Sequence, residues 1–133
     1  MATIETAVRA MLLQGTTLSA AGIADANVSH GYRLQDGTLP ALTFEVEQDE
    51  ILCIGASPLR SARVEIRVIA LTTTAALGFL DQVQTVCDPG TYDTFDFDSV
   101  IWLGHTIDPA TVADGDEAQP AELICNIEIT YTE

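Results

Sequence analysis

Lysine is absent from this chain, so its positive side chains are five arginines, set against 20 acidic residues. The arginines are Arg9, Arg33, Arg60, Arg63 and Arg67. The formal net charge is −15. Proteins that bind DNA, RNA or anionic membranes attract phosphate groups with a basic face, and this composition does not readily provide one. The charge therefore argues against those partners and fits either solubility or attraction of a cationic partner.

Long apolar runs and a dense cysteine pattern are also missing. No run approaches the roughly 18 residues that a membrane-spanning helix needs. The N-terminus has no basic segment before an apolar stretch, so we expect no cleaved signal peptide. Cys53, Cys87 and Cys125 are widely spaced, and no two of them form a C-x-x-C pattern. This spacing argues against a zinc site or a disulfide framework and favours free thiols in a reducing compartment.

Motifs for catalysis and metal binding are missing as well. His30 and His105 lie outside any known nucleophile motif, and such histidines are more often satisfied edge residues than parts of a catalytic group. The acidic segments 93–98 and 114–117 lack the glycine and glutamate positions of a calcium-binding loop, so solvated loops explain them better. We therefore predict that the chain is not an enzyme and has no catalytic residue, no cofactor and no metal site.

Apolar periodicity predicts the fold of one domain over residues 1–133. Helical spacing predicts a first helix that starts after a Thr3 cap and stops at Gly15, and a second main helix from residues 72–74 to near Cys87. The stretch 16–27 between them has room for a short helical turn. Alternating apolar residues predict strands at 41–47, 62–71, 99–107 and 121–131. Because strands and helices do not alternate regularly, we predict an α+β fold, a mostly antiparallel four-stranded sheet with two main helices packed on one face.

The order of these elements resembles a known family. After the first helix come Val28-Ser29-His30-Gly31-Tyr32 and then Asp36-Gly37-Thr38-Leu39-Pro40, which leads into the first long strand. The next long strand, Ala62-Arg63-Val64-Glu65-Ile66-Arg67-Val68, passes directly into a threonine-initiated helix. Over the first two thirds or so of the chain, this order is similar to that of the tail-terminator, or tail-completion, proteins of tailed bacteriophages.

The resemblance implies a structural role without catalysis. It implies a small subunit that forms a six-membered ring at the head-proximal end of the tail tube, in the tail or neck of a virion assembled in the host cytoplasm. Its partners would be other copies of itself, a tail tube protein and a head-completion or neck protein, while DNA passes through the channel without specific binding. The charge adds an expectation of an acidic channel wall, for which segments 93–98 and 114–117, Glu122 and Glu128 are candidates.

An apolar cluster between two predicted strands is a candidate contact between subunits. It consists of Ile51, Leu52 and Ile54. The cluster either extends the hairpin into the core or forms an exposed contact for a neighbouring subunit. We favour the contact because the strand alternation stops before Ile51.

Three arginines form a second candidate contact. They are Arg60, Arg63 and Arg67. In one interpretation they pair within the chain with Glu45 and Glu47 on a neighbouring strand. In the other they bind carboxylates across a subunit boundary, where arginine makes bidentate contacts that lysine cannot copy.

Other functions stay open from the sequence. A small acidic cytoplasmic module would use its charge to bind a cationic protein, and another neck or tail-tube subunit would share the same features. A carboxylate enzyme is a third alternative, because any acidic protein supplies pairs of carboxylates. Self-association separates a ring subunit from a monomeric module.

Overall fold

The computed structural model of the chain describes residues 3–31, 40–55, 58–107 and 121–132. The helices within these ranges are α1 (Ile4–Leu12), α2 (Thr17–Ala21) and α3 (Thr73–Val86), with a short 3-10 helix at Asp25–Asn27. The strands are β1 (Val28–His30), β2 (Ala41–Cys53), β3 (Leu59–Ala70), β4 (Gly90–Tyr92), β5 (Phe95–Ile107) and β6 (Ala121–Thr132). None of the helices found in these ranges is long and apolar enough to cross a membrane.

The strands form one mixed sheet in the order β1-β2-β3-β6-β5-β4, curled into a half-barrel. β1 runs parallel to β2, and every other neighbouring pair is antiparallel. The four long strands lie at the centre, and the two three-residue strands lie at the edges.

The predicted four-stranded sheet with two helices is wrong, because the described residues form a sheet of six strands and three α-helices. β1 and β4 are too short to show the alternation over four or more residues by which a strand is recognised in a sequence. β1 also runs parallel to β2 across a short connection, whereas short connections usually join antiparallel strands. α2 has five residues, which is too few for a clear helical period.

Side-chain alternation in the central strands determines where the core lies. Every second residue is buried throughout β6 and from Ala62 onward in β3, and the register places Val64 opposite Ile127 and Ile66 opposite Cys125. α3 packs on β3 and β6, while α1 lies against β1, β2 and β4. The core therefore fills the space between the helices and this face of the sheet. We call the opposite face, which carries Glu45, Arg63, Glu65, Arg67, Glu122 and Glu128, the polar face.

Side-chain caps define the start of both main helices. The Thr3 hydroxyl accepts a hydrogen bond from the Thr6 amide, and the Thr6 hydroxyl accepts one from the Thr3 amide. The Thr72 hydroxyl accepts a bond from the Ala75 amide at 3.1 Å. Such caps satisfy amides that have no partner within the helix. They lie at the predicted positions, so the predicted starts of α1 and α3 are confirmed.

Two strands extend beyond their predicted ends. β2 continues to Cys53, but its register shifts between Val46 and Gln48, so the apolar alternation reverses where the prediction stopped. β5 begins at Phe95, because Asp93 and Thr94 form a tight turn with positive φ angles after β4. Segment 93–98 is therefore a turn and the start of a strand, while segment 114–117 lies outside the described residues.

Candidate functional site

The hairpin of β2 and β3 extends past the core. From residue 47 onward, every residue of β2 is exposed. The exposed fraction is 54% for Ile51, 55% for Leu52 and 91% for Ile54. The structure thus places the predicted apolar cluster on the surface at the tip of the hairpin rather than in the core. Its role as a contact between subunits stays a prediction.

A buried tyrosine holds the base of this hairpin against the last strand. Tyr131 is 2% exposed, and its hydroxyl donates a hydrogen bond to Asp49 Oδ1 at 2.7 Å. Arg60 Nε donates to the same carboxylate oxygen and to the Tyr131 hydroxyl oxygen, both at 3.2 Å. Burial, with the hydrogen bond to Asp49 and the charge of that carboxylate, raises the pKa of Tyr131 to about 12. We call these three residues the hairpin clamp.

Arg67 joins two carboxylates on the polar face. Its Nε donates to Glu65 Oε1 at 2.7 Å, and its Nη1 donates to Glu122 Oε1 at 2.6 Å. These contacts raise the already high pKa of Arg67, with the bond to Glu122 as the main cause. The arrangement holds β6 to β3 by side chains as well as by the backbone.

The other arginines lie apart from this pair of contacts. Arg63 approaches Glu128 of β6 at 4.0 Å, with both side chains substantially exposed. Arg60 belongs to the hairpin clamp, and its side chain lies on the face of β3 opposite to that of Arg63. In the described residues, the three arginines form ion pairs with Asp49, Glu65, Glu122 and Glu128 rather than with the predicted Glu45 and Glu47. The three arginines do not form one cluster, and their role between subunits stays a prediction.

Glutamates outnumber arginines on the polar face. Glu45 lies directly opposite Glu65 in the register of β2 and β3. A hydrogen bond with Glu65, partial burial, and repulsion from Glu65 and Glu45 raise the pKa of Glu47 above its usual range. Together with Arg63 and other neighbours, Glu47 and Glu65 line a depression of about 400 Å³. The polar face therefore has a negative excess.

The groups considered for catalysis are separated or buried. His30 lies in β1 and His105 in β5, on opposite sides of the sheet order. Burial raises the pKa of Cys87 to about 12 and also raises that of Cys125, so both thiols stay protonated at neutral pH. Within the described ranges, no group of three or more histidine, cysteine or acidic side chains could hold a metal ion.

Comparison with known proteins identifies the fold. The structure is similar to a chain in the virion of a native gene transfer agent (GTA) particle, with a TM-score of 0.67 and 11% sequence identity. The likeness covers 98% of this chain and 95% of that chain, so nearly the whole fold is shared. No protein-family model matches the chain, and no curated protein sequence matches it.

The hairpin clamp leads to a prediction on stability. We expect Tyr131→Phe to lower the free energy of unfolding by about 1 kcal/mol, because Asp49 loses one donor while the ring stays buried. The parent should also lose stability as the pH rises from 10 toward 12, because the unfolded phenol ionises before the folded one. Urea unfolding at neutral and alkaline pH measures both effects. The same alkaline loss in the variant would show that Tyr131 is not its source.

The crowded glutamates lead to a second prediction. Because the pKa of Glu47 is raised in the folded state, its ionisation destabilises the fold as the pH rises through that value. Glu47→Gln should therefore increase the unfolding free energy at pH 7 by no more than about 0.5 kcal/mol, and the gain should disappear at acid pH where Glu47 is protonated. Glu50→Gln, which removes the same charge opposite Ser61, serves as the control. A gain that persists at acid pH would contradict the explanation.

Proposed function

We propose that this chain is a structural subunit of a virion, a tail terminator whose copies form a ring that caps the tail tube and joins it to the head or neck. The observation that carries the proposal is the fold shared with a chain of a GTA virion over nearly the full length of both chains. The order of elements, which resembles that of tail terminators, supports the more specific role.

The hairpin tip supports assembly as the function of this surface. Ile51, Leu52 and Ile54 are all more than half exposed. Apolar side chains clustered at one place on a subunit mark a contact more often than they serve the isolated monomer. The hairpin clamp holds the base of this hairpin against β6, which favours a repeated contact between identical subunits. We propose that the tip contacts a neighbouring copy in the ring.

The charge supports a channel that DNA passes through without binding. Glu122 and Glu128 share the polar face with Glu45, Glu47 and Glu65. A wall with this negative excess repels phosphate, whereas a basic wall would hold DNA by releasing its counterions. We propose that the polar face lines the channel of a six-membered ring, with the tail tube protein and the head-completion protein as the partners at its two ends.

Ring formation gives the direct test of the proposed function. Each copy carries a net charge of −15, so self-repulsion opposes assembly at low salt, and screening within about 10 Å at 0.1 M salt relieves it. We expect mass measurements to show monomers at low salt and a single closed species at moderate salt. A chain that stays monomeric at every salt and protein concentration would contradict the ring and favour the small acidic module that binds a cationic partner.

The hairpin tip gives a second prediction. Ile51→Asp with Leu52→Asp should abolish the ring at all salt concentrations, because it places charge at an apolar contact. The unfolding free energy of the monomer should change by no more than about 0.5 kcal/mol, since both side chains are exposed. Leu71→Asp with Leu77→Asp, at two exposed leucines away from the tip, adds the same charge as a control. A double variant at the tip that still forms rings would exclude the tip as a contact.

A further inference from the structure

Among the described residues, the sheet has two long edges to which no strand is paired. β1 pairs with β2 over residues 42–44, and β4 pairs with β5 over residues 95–97. In the described part of the chain, no strand pairs with the outer edge of residues 45–53 of β2 or of residues 98–107 of β5. Such edges present backbone amides and carbonyls to which another strand can add.

The two edges differ in charge. The base of the β2 edge carries Glu45, Glu47, Asp49 and Glu50, which oppose the pairing of two β2 strands with each other. Residues 51–54, at its tip, are uncharged. Residues 99–107 of β5 contain no arginine and no acidic residue. Because charged side chains are the usual protection of a free edge, the tip of β2 and the edge of β5 are the unprotected segments.

Exposed apolar side chains gather on these same segments. Seven large hydrophobic residues are exposed in the described part of the chain, and five of them lie at the tip of β2 or on β5, so the apolar surface is not scattered. The five are Ile51, Leu52, Ile54, Ile101 and Leu103. A contact that joins the two segments brings residues of both groups into one interface. A contact between two β5 strands leaves the three at the tip in water.

We propose that residues 51–54 of one copy add as a strand to the free edge of β5, near residues 99–105, in the next copy. This inference rests on the proposed ring and names the surface that receives the hairpin tip. β2 and β5 lie on opposite sides of the sheet order, so the contact joins unlike surfaces. Contacts between unlike surfaces repeat from copy to copy and close into a ring when the rotation allows it. A β5–β5 contact would stop at a dimer.

Cys53 provides a probe for this contact. It is exposed and lies at the hairpin tip, whereas Cys87 and Cys125 are buried. We would introduce Ile101→Cys, Leu103→Cys or His105→Cys one at a time into the full-length chain and oxidise each with oxidised glutathione at moderate salt. Each copy then has one thiol on each proposed surface. At least one variant should give a ladder of covalent species beyond the dimer on a non-reducing gel. The variant that forms the most of these species indicates the register between the added strand and β5.

Two controls separate the contact from random collision. Adding Cys53→Ser to the linking variant should remove the ladder, because one exposed thiol per chain can join two copies at most. Leu71→Cys, which places a thiol at an exposed leucine on neither free edge, should give no ladder beyond the dimer. Circular dichroism of the reduced variants checks that each is folded.

Each outcome has a distinct meaning. No ladder from any of the three variants, while the parent forms the closed species, would overturn this inference and leave the proposed ring intact. A covalent dimer that survives Cys53→Ser, from a variant that gives no ladder when Cys53 is present, would replace it with β5–β5 pairing. A parent that is monomeric under all conditions would overturn both proposals.

A mixing experiment tests the same contact without covalent chemistry. The double variant Ile51→Lys with Leu52→Lys disables the tip. The double variant Ile101→Lys with Leu103→Lys disables the edge of β5. Because lysine lowers the net negative charge, a loss of assembly cannot come from added repulsion between copies. Each variant alone should be monomeric. Equal amounts of the two should form one heterodimer through the intact tip of one and the intact edge of the other. A homodimer of the tip variant would contradict the inference.

Discussion

Burial of one face of β3 and β6 under the helices is the constraint on which the other features depend. Their alternate side chains are almost fully covered, which fixes the register of the central strands and the position of α3. The residues in between must then face away from the core, and they form the polar face. Core and polar face thus have one origin.

The use of arginine without lysine fits this very acidic surface. Arg67 binds Glu65 and Glu122 through two different nitrogens, a geometry that a planar guanidinium supports and an ammonium group does not. Arg9 uses the same property to donate to the backbone carbonyls of Asp25 and Val28, which holds the segment before β2 against α1. These arginines therefore stabilise local structure first, and the excess carboxylates remain to give the surface its charge.

The sequence predicts the parts of the fold that have a local signal. Thr3 and Thr72 mark the starts of α1 and α3, and the unbroken alternation of β6 gives its bounds within a residue. The predicted β2 is too short because a register shift reverses the alternation of its apolar residues. β1 and β4 have only three residues each, which is too few to show such an alternation.

The candidate site was less predictable, because its contacts depend on which strands are neighbours. The partners of Arg63 and Arg67 include residues of β6, which lies beside β3 in the sheet but far from it in the sequence. Similarly, nothing local to Asp49 indicates that Tyr131 lies against it. The apolar run at Ile51 did signal an exposed segment, since it interrupts the alternation of its strand.

The position of the hairpin clamp divides β2 and β3 into two regions of different local stability. On the core side of Asp49 and Arg60, amides of β3 lie between two paired strands beneath buried side chains, so hydrogen exchange there requires extensive unfolding. Beyond the clamp, the pairing of the described tip residues is within their own hairpin, and they bury little apolar area, so we expect their amides to exchange through small openings. The boundary is held by a tyrosine of the last strand, so the C-terminal end of the sheet sets how far along the hairpin the stable region extends.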